Sequence, residues 1–120
     1  MSLHIYLSRK MWISYDEGKT WDEGWEELYT ANITHNVGEM AEAAGIYEAL
    51  WEPEKIGATK AGDIIDILKK GLAKLKRRPQ HFMKFNSSNG WGLYENFVPF
   101  VEKYLAACKE HPEATIEVSV

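Results

Sequence analysis

Cysteine occurs once in this chain, at Cys108, so no internal disulfide can form and the fold must be held by packing. The four prolines and nine glycines are too few and too dispersed for a linker or a low-complexity tract, and no segment repeats at a period of about 20 to 50 residues. One domain over residues 1–120 is therefore expected. No apolar run approaches the roughly 20 residues of a membrane-spanning helix, and no basic segment precedes an apolar one at the start, which predicts a cytoplasmic protein with no membrane partner. Basic residues are in deficit as well. Fourteen Lys and Arg stand against 18 Asp and Glu, a formal charge of −4, so nucleic acid is not the expected partner. No P-loop, G-x-G-x-x-G, H-E-x-x-H or paired C-x-x-C occurs, and nothing points to ATP, a dinucleotide or structural zinc.

What is present is aromatic. Five Trp, six Tyr and four Phe within a 45% hydrophobic composition supply enough apolar surface for a core at this length. Five tryptophans also exceed what one small core readily hides, and exposed aromatic patches tend to become interfaces. Leu3, Ile5 and Leu7 alternate with His4, Tyr6 and Ser8, the period-2 pattern of a half-buried strand, and Ile116, Val118 and Val120 repeat it at the other end. Met11, Ile13 and Tyr15 alternate ahead of the turn residues Asp16, Glu17 and Gly18, which predicts a hairpin over Met11–Trp21. The expected fold is α+β: a small antiparallel sheet, made of a β-hairpin and paired N- and C-terminal strands, packed on about three helices.

Those helices are read from spacing. Ile33, Val37, Met40, Ala44 and Tyr47 recur every three or four residues, predicting a helix from Asn32, as N-cap, to about Leu50, with Gly38 and Gly45 marking close packing or a break. Ala61, Ile64, Ile65, Leu68, Leu72 and Leu75 define a second helix from Thr59 to about Arg77, closed by Pro79. Leu93, Phe97, Val101, Tyr104 and Cys108 form the apolar stripe of the last, which is kinked at Pro99 or begins there. On that stripe Cys108 reads as a core residue.

Two local sequences carry resemblances. Ser14-Tyr15-Asp16-Glu17-Gly18-Lys19-Thr20-Trp21 resembles the Asp-box, S-x-D-x-G-x-T-W, of sialidase-type propellers. A single copy in so short a chain implies the hairpin turn and not the propeller. Asn32-Ile33-Thr34-His35-Asn36, the stretch Met40 to Trp51, and Asn89-Gly90-Trp91-Gly92 together resemble a family of small uncharacterised phage and prophage proteins. That resemblance implies a phage-type accessory protein and assigns no catalytic or binding residue.

Four sets of residues carry candidate chemistry. His35 has Asn32, Glu39 and Glu42 near it at helical spacing and reads either as a base or ligand or as a surface histidine by a helix N-terminus. Glu39 and Glu42 form E-x-x-E, Asp63 and Asp66 form D-x-x-D, and on facing helices the four carboxylates would hold Mg²⁺. This arrangement is similar to that of the all-α nucleotide pyrophosphohydrolases, whose second helix usually carries E-x-x-D. Two acid pairs on solvated helix faces are the plainer reading. Lys69, Lys70, Lys74, Lys76, Arg77 and Arg78 read as a solvated helix end or as a nucleic-acid or phosphate contact. Lastly, the loop Asn86 to Gly92 offers Asn86, Asn89 and Trp91 to a ligand, unless Trp91 plugs the core. The leading expectation is a non-enzymatic, phage-type binding or interaction protein. It acts as a homo-oligomer, needs no cofactor, and has a small molecule or a host protein as a further partner class. A Mg²⁺-dependent nucleotide pyrophosphohydrolase is the alternative.

Overall fold

A computed structural model describes residues 1–120. The architecture is α+β. Strand β1 (Ser2–Ile13) lies at the centre of a three-stranded antiparallel sheet, between β2 (Asp22–Thr34) and β3 (Thr115–Ser119). Both ends of the chain thus join one sheet, as their matching period-2 patterns predict. Leu3, Ile5 and Leu7 are buried on its inner face, and each contributes about 1.5 to 3 kcal/mol by leaving water. A slip of one residue would expose all three and bury His4 and Tyr6, so the register of β1 is strongly determined.

Five helices cover the inner face: α1 (Gly38–Ala43), α2 (Tyr47–Trp51), α3 (Ile65–Arg77), α4 (Pro79–Met83) and α5 (Tyr94–Glu110). Single 3-10 turns occupy His35–Val37, Pro53–Ile56 and Ala61–Ile64. One core of 26 buried side chains joins the sheet to the helices. Helix α5 runs through Pro99 without a break and begins five residues before it. Phe97, Val101, Tyr104 and Cys108 are buried, as the stripe predicts.

The structure corrects the expected helix over Asn32–Leu50. Asn32 is still in β2, paired with His4, and Ile33 is paired with Leu3. Ladder bonds to β1 override the three-four spacing, and the cap is Thr34, whose hydroxyl accepts from the Asn36 amide. The segment then breaks at Gly45, whose φ of +80° suits glycine. There the Ile46 amide donates to the Ala41 carbonyl and the Gly45 amide to that of Glu42, the paired bonds of a glycine C-cap. The buried Ile46 that follows packs against Gly71 of α3, where an added Cβ would overlap Ile46 Cγ2 and lie 3.2 Å from the Ala44 carbonyl oxygen. Val120 lies beyond the end of β3 and is exposed.

The sheet also extends further than expected. Strand β1 continues without interruption to Ile13, and β2 runs the length of it. A bulge between Leu7 and Ser8 leaves Leu28 extra on β2, so the inward positions are Gly24, Glu26 and Leu28 before it, all half-buried, and Tyr29, Ala31 and the buried Ile33 after it. That change of parity hides the alternation of β2 from a sequence pattern.

Two substitutions test this packing. Gly71→Ala is expected to lower unfolding stability in urea by about 1 to 2 kcal/mol, because overpacking against Ile46 outweighs the helix preference of alanine, about 1 kcal/mol. A stabilised variant would show that Ile46 yields freely. Tyr104 is fully buried, its ring stacked on Tyr29 at 6.1 Å, and its hydroxyl has no hydrogen-bond partner. Tyr104→Phe removes that unsatisfied group and should leave stability unchanged or raise it by about 1 kcal/mol; a marked loss would mean that the hydroxyl is satisfied.

Candidate functional site

The end of β2 and the Thr34-capped turn bring Asn32, Thr34, His35 and Asn36 to one wall of a cleft of about 860 Å³. The opposite wall is the loop before α5, with Asn89, Trp91, Gly92 and, on the helix, Asn96. The Asn86 side-chain oxygen accepts from the Tyr94 amide at 2.7 Å, anchoring the loop where α5 starts. Asn89 Oδ1 accepts from the Trp91 amide at 2.9 Å, and Asn36 Nδ2 donates to the Trp91 carbonyl at 3.1 Å. Gly92 has φ +98°, and a Cβ there would stand 2.7 Å from Asn36 Cβ, so only glycine permits this approach. The two short segments built around His35 and Trp91 therefore meet across the fold.

Of the residues read from sequence as ligand-binding, His35, Asn89 and Trp91 line this cleft, while Asn86 does not and serves the loop's root. Trp91 is not a core plug: 68% of it is exposed. Spacing alone did not single out Asn96 or the role of Asn36; four asparagines within two short stretches were the available signal.

His35 also borders a second hollow, of about 590 Å³, with Glu39, Glu42, Glu52 and Glu54. Its Nε2 is buried without a partner, and its ring lies edge-on to Trp51 at 6.2 Å. Asp63 is engaged elsewhere, accepting from the backbone amides of Thr59 and Lys60 at 3.0 Å each. Those bonds, that from Lys60 first, hold its carboxyl below the usual range. Asp66 is exposed on the first turn of α3. No three His, Cys, Asp or Glu side chains gather into a set that could hold a metal ion. Lys74, Arg77 and Arg78, with His81, edge a notch of about 330 Å³ at the end of α3, and Lys76 pairs with Glu102 of α5 at 3.0 Å. Burial pushes the Cys108 thiol up to about 12, which removes it as a nucleophile at neutral pH.

A second surface is the outer part of the hairpin. Strand β3 covers β1 only from His4 to Ser8, so beyond Ser8 the β1–β2 ladder continues as a two-stranded arm on a molecule of 59 × 27 × 23 Å. On the face turned away from the helices, Lys10 pairs with Trp25 and Trp12 with Glu23. The two indoles are 59% and 57% exposed for Trp12 and Trp25. The Lys10 ammonium lies 5.4 Å from the Trp12 ring centre and 3.3 Å from a Glu23 oxygen. Tyr6 and Trp25 border a groove of about 480 Å³ that continues this face towards β3. The alternation of Met11 and Ile13 was read from the sequence, whereas Lys10 and Trp12 on the opposite face and the partner strand were not.

The arm's tip is built by the Asp-box-like sequence. Asp16 accepts from the Thr20 amide at 2.8 Å and the Thr20 hydroxyl at 2.6 Å, and the Ser14 hydroxyl oxygen accepts from the Gly18 amide at 2.7 Å. Gly18 supplies φ +89°, and Trp21 lies over it. Each side chain of the motif is thus spent on the turn itself. No helix is long and apolar enough to cross a membrane. No family model, curated protein or solved structure matches this chain.

The tip yields a pH prediction. Hydrogen bonds from the Thr20 hydroxyl and then its amide lower the Asp16 pKa below 3.8, so the contribution of the carboxylate is complete above that value and is lost as pH falls through the folded value. In a pH titration by NMR the Thr20 amide should shift with a midpoint below 3.8, and Asp16→Asn should abolish the transition. A midpoint at or above 3.8 would contradict the bonding at the tip.

Proposed function

We propose that this chain is a non-enzymatic interaction protein of phage type that assembles with further copies of itself through the outer face of the β1–β2 arm. The observation that carries the reading is the pair Trp12 and Trp25, displayed on a ribbon that no other element covers. Large aromatic side chains on one face, with a cation set between them, make the kind of patch that interfaces use. Trp anchors also dominate binding energy where they are found in interfaces. Three of the titratable groups are spent on structure, Asp16 and Asp63 on turns and Cys108 in the core. The phage-type part of the reading is supported only by the resemblance of the His35 and Trp91 segments to small phage proteins.

Sedimentation over a range of concentrations is expected to give a mass above the 13.8 kDa of one chain. Trp12→Ser with Trp25→Ser should weaken self-association by about a hundredfold or more, as loss of two anchoring tryptophans would. Both side chains face solvent, so the far-UV spectrum should be retained. Met83→Ser, an exposed apolar position away from the arm, should leave the mass unchanged. A strict monomer at every concentration would end this reading.

A further inference from the structure

The cleft beside Trp91 has a chemistry of its own, unrelated to the arm. No Lys, Arg, Asp or Glu side chain lines it, and its only ionisable groups are His35 and the amino terminus at Met1. It presents amides instead. Asn32 comes from β2, Asn36 from the turn after it, Asn89 from the loop and Asn96 from α5, so four elements contribute one amide each. An asparagine side chain has two donor hydrogens and an acceptor oxygen. Asn36 uses its nitrogen and Asn89 its oxygen to hold Trp91, leaving an acceptor on the first and donors on the second. Asn32 and Asn96 are exposed. The set therefore combines donors and acceptors around one exposed indole.

The backbone beneath the indole is held in place. The Trp91 amide donates to Asn89 and its carbonyl accepts from Asn36, while Gly92 presses against the Asn36 backbone. Anchoring the peptide groups on both sides of an exposed aromatic residue lowers the entropy lost when a ligand settles on it. We propose that this cleft binds a neutral carbohydrate. The indole takes the C–H face of a pyranose ring, and Asn32, Asn36, Asn89 and Asn96 bond to its hydroxyls. A pyranose matches both features, since its ring face is apolar and its rim carries hydroxyls that donate and accept. A nucleobase would present polar groups along its in-plane edges, whereas the amides arrive from four separate elements.

The test is an array of immobilised neutral and acidic oligosaccharides probed with the full chain, followed by NMR titration of the five tryptophan indole N–H signals with the tightest-binding glycan and, separately, with adenosine and ADP. Saturable binding of a neutral glycan is expected, with the Trp91 signal moving most. Trp91→Ala should weaken that binding by about tenfold or more and Asn96→Ala by about fivefold or more, within the range that stacking and single hydrogen bonds supply. The four remaining indole signals report that the Trp91→Ala chain is folded. The proposal is overturned if no neutral glycan binds, if binding survives Trp91→Ala undiminished, or if adenosine or ADP moves the Trp91 signal and the glycans do not. Because Trp12 and Trp25 lie outside the cleft, loss of self-association in the arm variants leaves this outcome unaffected, and the two readings fail separately.

Discussion

Burial of Leu3, Ile5 and Leu7 on the inner face of β1 is the contact from which the rest of the molecule is arranged. β1 is the only strand with two neighbours, so its register sets both the hairpin and the docking of β3. Strand β3 in turn ties the 3-10 turn that leads into α3 to the sheet, through Ala61 donating to the Ala114 carbonyl and Ile116 donating to that of Thr59. Helix α5 closes the core from the other side, where Tyr104 stacks on Tyr29 of β2. Residues far apart in sequence are thus held by one strand whose displacement would expose three large side chains at once.

The same strand separates the two candidate surfaces. Within the reach of β3 and the helices, β1 is a core strand with alternate residues buried. Beyond Ser8 it has only β2 beside it, and its side chains no longer have helices to cover them. The bulge at Leu28 lies at this transition and turns both Leu28 and Tyr29 towards the core. Ion pairs along the arm, Arg9 with Glu26 and Lys10 with Glu23, are exposed and each is worth at most about 1 kcal/mol. The ribbon therefore depends on its ladder bonds, on the packing of Ile13 and Met11 over Gly24, and on the hydrogen-bonded tip.

The cleft depends on a different constraint, the approach of Gly92 to Asn36. A larger residue at position 92 would need both an unfavourable φ and room that the Asn36 backbone occupies. Glycine lets the loop lie against the turn, and the Asn36 amide then reaches the Trp91 carbonyl. Thr34 matters for the same reason, since its cap ends β2 where Asn36 can face the loop. His35 stands between this cleft and the glutamate-lined hollow, with its ring against Trp51.

Patterns confined to a few residues were decided by the sequence itself. The alternation of Leu3, Ile5 and Leu7 made a strand, the Ser14–Trp21 motif made a turn through its own side chains, and the stripes of α3 and α5 placed their buried residues. Each follows from the fixed periods of strand and helix or from bonds between near neighbours. Strand β2 was not legible, because Glu23, Glu26 and Glu27 give it little apolar pattern and the bulge breaks its period. Nor was the end of β2 at Thr34, where pairing of Asn32 with His4 prevailed over helical spacing. The cleft belongs wholly to the tertiary structure: Asn36 and Trp91 are 55 positions apart, and no local rule relates them. Their meeting is decided by the packing of β1 and α5 into one core, which carries the turn after β2 and the loop before α5 to the same place.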